Sequence, residues 1–308
     1  MLITKAIKNM KAFLILLMAI VLFSFNGAAQ DIIFSQNMFY KDNINPSSFL
    51  ISNDYNVFLL FNNNLGGFDN NPQTEVVDFS MVRGNQKFGM YFINDKLGYD
   101  LIQNVKVRYA QRFEISNNSS FSFGLAVGAV HRKLEVTKLR FEEANDPVSL
   151  VDYAKTWFDY DFGAEYRYDR LYVGLSFTHF GKMLNNSDNE VLTSHVYAYA
   201  QYAYEVNKLF TLYPNLLIRN WKGSFFVETG VTGYYKNVFW AGVSFSDFRD
   251  LTMMAGMKIY KDMMFGYAFK ANLNKNILNP FATGTNEIFL NIPINTQRKN
   301  IRTPRFID

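Results

Sequence analysis

A chain of 308 residues with 49% hydrophobic and 19% charged residues is neither a disordered tail nor a collagen-like fibre. It has no cysteine, which excludes a disulfide scaffold, a Cys-ligated zinc site, an iron–sulfur centre and a thiol nucleophile. Aromatics reach 17%, with 31 Phe and 19 Tyr, yet the mean hydropathy is only −0.09. That is too low for a bundle of membrane helices and suits strands with one apolar and one polar face.

Residues 1–29 read as an export signal. Lys5, Lys8 and Lys11 form a basic start, Ala12 to Phe25 is apolar and uncharged, and Asn26-Gly27-Ala28-Ala29 offers small residues for cleavage before Gln30. The apolar stretch is about 14 residues, short of the roughly 20 a helical span needs, which argues against a retained anchor. Removing the leader's three lysines lowers the net charge from +4 to +1, so no global field points to nucleic acid. Residues 30–52 are too long for a bare strand start and are not low-complexity. They are expected as a periplasmic segment that plugs the mouth or binds a partner.

From residue 53 the pattern has period two. Leu171, Val173, Leu175 and Phe177 alternate with Tyr172, Gly174, Ser176 and Thr178. Val105, Val107, Tyr109, Phe113 and Ile115 alternate with Lys106, Arg108, Arg112 and Glu114. Strands are expected near 54–63, 73–83, 86–93, 101–115, 119–132, 155–168, 170–182, 193–206, 208–219, 223–235, 237–247, 249–260, 262–273 and 284–295, about fourteen in all. Tight turns, such as Gly84-Asn85 and Lys236-Asn237, alternate with longer links at 64–72, 94–100, 133–154, 183–192 and 274–283. Two links on that second side, at 220–222 and 247–249, are short. A soluble sandwich has no need of this alternation, whereas a transmembrane barrel has short turns on one side and long loops on the other. The fold class expected is therefore all-β: a transmembrane antiparallel up-and-down β-barrel over 53–295, in the outer membrane of a Gram-negative bacterium. An even strand count places both termini in the periplasm. The tail 296–308 is basic, with Arg298, Lys299, Arg302 and Arg305.

Candidate chemistry is sparse. His131, His179 and His195 are the three histidines, and none sits in a metal-binding spacing. Ser176 and His179 are three apart on one strand and point to opposite faces. No nucleophile elbow or phosphate loop is present. No catalytic residue, metal or cofactor is expected. Asp161, Glu165, Glu228, Arg108, Arg112 and Lys270 fall on polar faces and are expected to pair inside the lumen or tune a channel. Around the longest loop, Arg140, Phe141, Tyr153 and Trp157 are candidate partner anchors.

Several motifs in order give the chain a likeness. Phe34-Ser35-Gln36-Asn37-Met38-Phe39, then Ile44-Asn45-Pro46, then Phe239-Trp240-Ala241-Gly242-Val243-Ser244-Phe245, then Gly266-Tyr267, then Gly284-Thr285-Asn286-Glu287-Ile288 and Pro304-Arg305-Phe306 follow one another. The sequence resembles the PorP/SprF family of type IX secretion system outer-membrane proteins of Bacteroidota. It departs from that family's pattern at Asn286, Phe245, Phe269, Lys270 and Ser47 to Leu50. The family-motif and partner candidates are Phe34, Ser35, Gln36, Met38, Phe39, Asn45, Pro46, Trp240, Gly242, Gly266, Tyr267, Glu287 and Arg305. The resemblance implies a non-enzymatic component of type IX secretion or gliding motility. It would hold or help export a secreted surface protein or adhesin with a C-terminal sorting domain, and dock to a periplasmic peptidoglycan-binding lipoprotein. The alternative is an outer-membrane porin or small-solute transporter, argued from the charged lumen.

Overall fold

The computed structural model describes residues 34–50, 53–64, 71–135, 152–181, 194–221, 224–247, 249–260, 262–273 and 284–295. The strands are β1 (Tyr55–Asn64), β2 (Gln73–Arg83), β3 (Gln86–Leu97), β4 (Asp100–Ser116), β5 (Ser119–Leu134), β6 (Tyr153–Tyr168), β7 (Leu171–Thr178) and β8 (His195–Tyr202). They continue with β9 (Tyr204–Glu205), β10 (Phe210–Trp221), β11 (Ser224–Tyr235), β12 (Phe239–Ser246), β13 (Asp250–Lys258), β14 (Met264–Asn272) and β15 (Thr285–Ile294). Each strand pairs antiparallel with its chain neighbour, save that β8 and β9 both pair with β10, and β1 pairs with β15 from Tyr55↔Ile294 to Asn64↔Thr285, closing the sheet. β9 extends β8 beyond a break at Ala203, since both pair with β10, so the barrel has fourteen staves.

Closure follows from the medium. Hydrocarbon offers no partner to a backbone N–H or C=O, so a sheet that crosses it can have no edge. The outward face is apolar: Val105, Val107 and Tyr109 on β4, Val173, Leu175 and Phe177 on β7, and Phe239 and Phe245 on β12 are all exposed. Lys106, Arg108, Ser176, Trp240 and Ser244 alternate with them and are buried inside. Aromatic pairs on the outer wall mark the tight-turn end. Phe88 meets Tyr109 at 5.1 Å and Phe210 meets Tyr235 at 4.9 Å, as expected of an interfacial girdle.

The expected link at 94–100 is a correction. β3 continues to Leu97 and β4 starts at Asp100, leaving a two-residue turn with Gly98 at φ +62°. The polar run Asn94-Asp95-Lys96 reads as loop, but cross-strand pairing with β2 and β4 carries it as strand. β4, β5 and β6 have 17, 16 and 16 residues, against 8 in β12. At about 3.3 Å per residue, one side of the barrel rises well above the other. The leader (1–29), the tail (296–308) with Arg305, and loop residues Arg140 and Phe141 lie outside the described residues.

Val107 sits halfway along β4 with half its surface exposed to the outside. Val107→Arg should cost about 2–4 kcal/mol, and Gln111→Arg, nearer the interface, about 0–1. Reversible urea unfolding in lipid vesicles measures both.

Candidate functional site

Residues 34–50 lie inside the barrel, buried against its inner wall. The polar inner wall needs hydrogen-bonding partners, and this chain supplies many of them with its own N-terminal segment. Phe34, Gln36, Tyr40, Asn45, Ser47 and Ser48 are at most 1% exposed. The segment enters at the long-loop end, makes a short 3-10 turn at Lys41–Asn43, and leaves at the tight-turn end to start β1.

The upper node is built on Glu287. Its carboxylate accepts hydrogen bonds from Ser35 N–H and Gln36 N–H, both at 2.8 Å, and from Asn62 Nδ2 at 3.1 Å. Glu228 on β11 accepts from Asn37 Nδ2 and from Ser246 Oγ, both at 2.8 Å. Phe39 packs on Trp240 at 4.3 Å and on Phe289 at 5.2 Å, while Tyr40 stacks on Phe58 at 4.3 Å. A Cβ at Gly266 would collide with Phe289, Gln36 and Trp240, so only glycine admits the plug there. Gly242 faces inward beside Thr232, whose hydroxyl contacts Met38 Sδ.

The lower node binds the plug's second half. Asn45 Nδ2 donates to Ala164 O and to Tyr199 Oη, and its Oδ1 accepts from Ser47 N–H and Oγ. Ser122 Oγ donates to Ser47 O at 2.8 Å, and Ser176 Oγ donates to Ile44 O. A Cβ at Gly124 would strike the backbone of Pro46 and Ser47. Phe49 N–H donates to Glu165, which also accepts from Tyr199 Oη.

Several of the lumen's charges are paired among the described residues. Lys87 Nζ holds Asp42 of the plug at 2.7 Å, and it also donates to Ser48 O. Arg108 makes a two-pronged pair with Asp78 and reaches Asp42 at 3.4 Å; Tyr40 Oη donates to Asp78. Lys106 Nζ bridges Asp159 at 2.6 Å and Asp161 at 2.7 Å. His179 pairs with Asp159, and its N–H donates to Asp161 at 2.9 Å. Asp159, Asp161 and His179 have the donor set of a metal site, but the Lys106 ammonium lies against both carboxylates. Lys41 of the plug lies 4.3 Å over the Tyr199 ring.

The structure therefore brings together most motif residues scattered over the chain. Phe34, Ser35, Gln36, Met38, Phe39, Trp240, Gly242, Gly266 and Glu287 form the upper node; Asn45 and Pro46 belong to the lower one. Tyr267 stands apart: it faces outward, and its hydroxyl donates to Asn286. Asp161, Glu165, Glu228, Arg108, Arg112 and Lys270 all face inward, as the alternation indicates. Ser176 and His179 serve different partners. Tyr153 and Trp157 stand at the projecting end of β6, where Lys155 Nζ lies 5.5 Å over the Trp157 ring. Sequence reasoning missed Asp42, Asp78, Lys87 and Tyr199 as plug partners. Their alternation shows an inward direction but not what lies opposite.

A closed barrel with an apolar outer wall and a polar lumen filled by its own chain is a plugged membrane β-barrel. The family model described as type IX secretion system membrane protein PorP/SprF matches residues 26–292, and the chain belongs to that family. The match and the fold place it in the outer membrane. No curated protein matches the chain in sequence. Among solved structures it is similar to the toluene transporter TbuX of Ralstonia pickettii, at 11% identity and a TM-score of 0.48, covering 86% of this chain and 93% of that one. It is also similar to the CymD monoaromatic hydrocarbon channel, at 10% identity and a TM-score of 0.47, covering 88% and 95%. A Pseudomonas aeruginosa FadL homologue follows at 11% identity and a TM-score of 0.40, covering 77% and 87%.

Glu287→Ala removes the acceptor of two buried backbone donors and of the part-buried Asn62 amide, each buried orphan costing about 1–3 kcal/mol. Lys41 is the sole trypsin site within 34–50. The purified wild type should resist cleavage there, and Glu287→Ala should be cut, with a new N-terminus at Asp42 on sequencing. Lys106→Met removes the ammonium shared by two buried carboxylates, which keep contacts with His179 and Tyr91, and should cost about 3–5 kcal/mol in urea unfolding. The triple variant with Asp159→Asn and Asp161→Asn should recover much of that loss.

Proposed function

We propose that the barrel is a scaffold of the type IX secretion or gliding machinery that holds, or helps export, a secreted surface protein. The observation that supports this reading best is the plug. Residues 34–50, held by buried hydrogen bonds and ion pairs, occupy much of the lumen that a solute would have to cross. What remains for interaction is the two ends. The end with the long loops faces the cell exterior, as in other barrels, and the tight-turn end faces the periplasm. The raised edge of β4, β5 and β6 carries Tyr153, Lys155 and Trp157 toward the exterior, residue types that anchor protein interfaces. A periplasmic peptidoglycan-binding lipoprotein would dock at the tight-turn end, where the basic tail 296–308 follows β15. The role requires no catalytic step.

The test is a tag inserted within 183–190, purification from the native outer membrane in mild detergent, and mass spectrometry of what accompanies it. A large secreted protein or a periplasmic lipoprotein in stoichiometric yield is the expected result. A partner-free barrel that conducts ions in a planar bilayer would instead favour a small-solute role.

A further inference from the structure

Several basic side chains at the tight-turn end are answered by carboxylates: Arg83 by Asp54 at 3.8 Å, Arg170 by Glu205 at 2.9 Å and Lys258 by Asp262 at 3.6 Å. Arg112 on β4 and Arg167 on β6 differ. Neither forms an ion pair among the described residues, and each lies on an aromatic ring instead. The Arg112 guanidinium is 4.1 Å over Phe49, a buried plug residue near the exit, and that of Arg167 is 5.4 Å over Tyr172. Arg167 Nε donates to Asp169 O at 3.3 Å, which leaves both terminal nitrogens available.

Strand register brings the two arginines together. Arg112 is level with Ser122 and Glu165, and Arg167 with Ser120 and Glu114, all inward-facing across β5. Both guanidinium groups therefore reach over the same short stretch of β5, within range of each other's charge. Of the carboxylates beside them, Glu165 is already engaged by Tyr199 Oη and Phe49 N–H. Glu114 is exposed at the rim and sets one negative charge against two positive ones. A guanidinium laid on a ring keeps its N–H edge in the ring's plane, aimed sideways into the mouth. Two such planar edges match the paired oxygens of a carboxylate.

We propose that Arg112 and Arg167 form a carboxylate-binding site in the tight-turn mouth, and that its occupant is an acidic segment of a periplasmic protein. The proposal rests on the reading that this end docks a periplasmic partner, and it names the chemistry of that contact. Lipid headgroups surround the outer wall, whereas both arginines face the lumen, so the site opens to the periplasm rather than to the bilayer. A carboxylate between them replaces mutual repulsion with charge-assisted hydrogen bonds. The plug is part of the site. Arg112 stands on Phe49, and Phe49 N–H donates to Glu165, so an occupant that holds Arg112 also holds the plug's exit against the wall.

The purified barrel in mild detergent is titrated at low salt with fluorescein-labelled hexaglutamate, and binding is read as fluorescence anisotropy. Arg167→Gln, an exposed change that leaves the plug's contacts intact, should weaken binding about tenfold. Arg112→Lys keeps the charge but loses the planar fork, and should also weaken it. Glu114→Gln removes the opposing charge and should tighten binding about threefold, whereas Lys208→Gln, in another tight turn, should change it less than about twofold. Equal losses in Lys208→Gln and Arg167→Gln overturn the site, as does binding that responds to neither Arg167→Gln nor Glu114→Gln. The docking reading fails or stands separately. If a periplasmic protein co-purifies equally with the wild type and Arg167→Gln, docking stands and this site's part in it is overturned. The chain has no cysteine, so Arg167→Cys reports without background. It should react with a membrane-impermeant maleimide only after the outer membrane is permeabilised. Reaction on intact cells overturns the periplasmic occupant, while the titration still decides the carboxylate site.

Discussion

Every backbone hydrogen-bonding group in this protein's wall must find its partner within the wall, because the hydrocarbon around it supplies none. The pairing of β1 with β15 meets that demand by removing the last two edges. Once the sheet is closed, the two-residue side-chain period does the rest. Alternate residues face lipid and must be apolar, and the others face a lumen that lipid cannot reach. A fourteen-stave ring is too wide for opposing side chains alone to fill. The lumen must hold water or chain, and here residues 34–50 occupy much of it.

A chain segment in a closed lumen brings its own unpaired backbone and charges, so the wall has to supply complements. Glu287 and Glu228 accept from plug amides, and Lys87 neutralises Asp42. Ser122 and Ser176 donate to plug carbonyls. Away from the plug, Lys106 does for Asp159 and Asp161 what an ion would otherwise have to do. Buried ion pairs add little net stability, but breaking one strands a charge, which makes the lumen intolerant of single polar deletions. The plug is thereby part of the folded barrel's polar accounting rather than an appendage.

This bears on function. A pore needs a continuous hydrated path, and the family motifs here converge on a chain segment packed inside the lumen. Phe34, Phe39, Trp240 and Glu287 lie far apart in the chain but meet in one node. Among the described residues, the barrel leaves its two ends, including the long β4–β6 strands, as surfaces open to interaction.

The strand positions, the barrel and the lipid-facing residues were legible in the sequence because alternation and turn residues are local signals. Val105-Lys106-Val107-Arg108 states its two faces without reference to anything distant. The link at 94–100 was misread because its polar residues lack that local signal and become strand only by pairing with β2 and β4. The plug could not be read in the same way. Phe34 to Phe39 carries no period, and its partners at Glu228, Trp240, Gly266 and Glu287 lie some two hundred residues away. Which inward carboxylate meets which amide depends on ring closure and strand register, and these exist only once the whole sheet has formed.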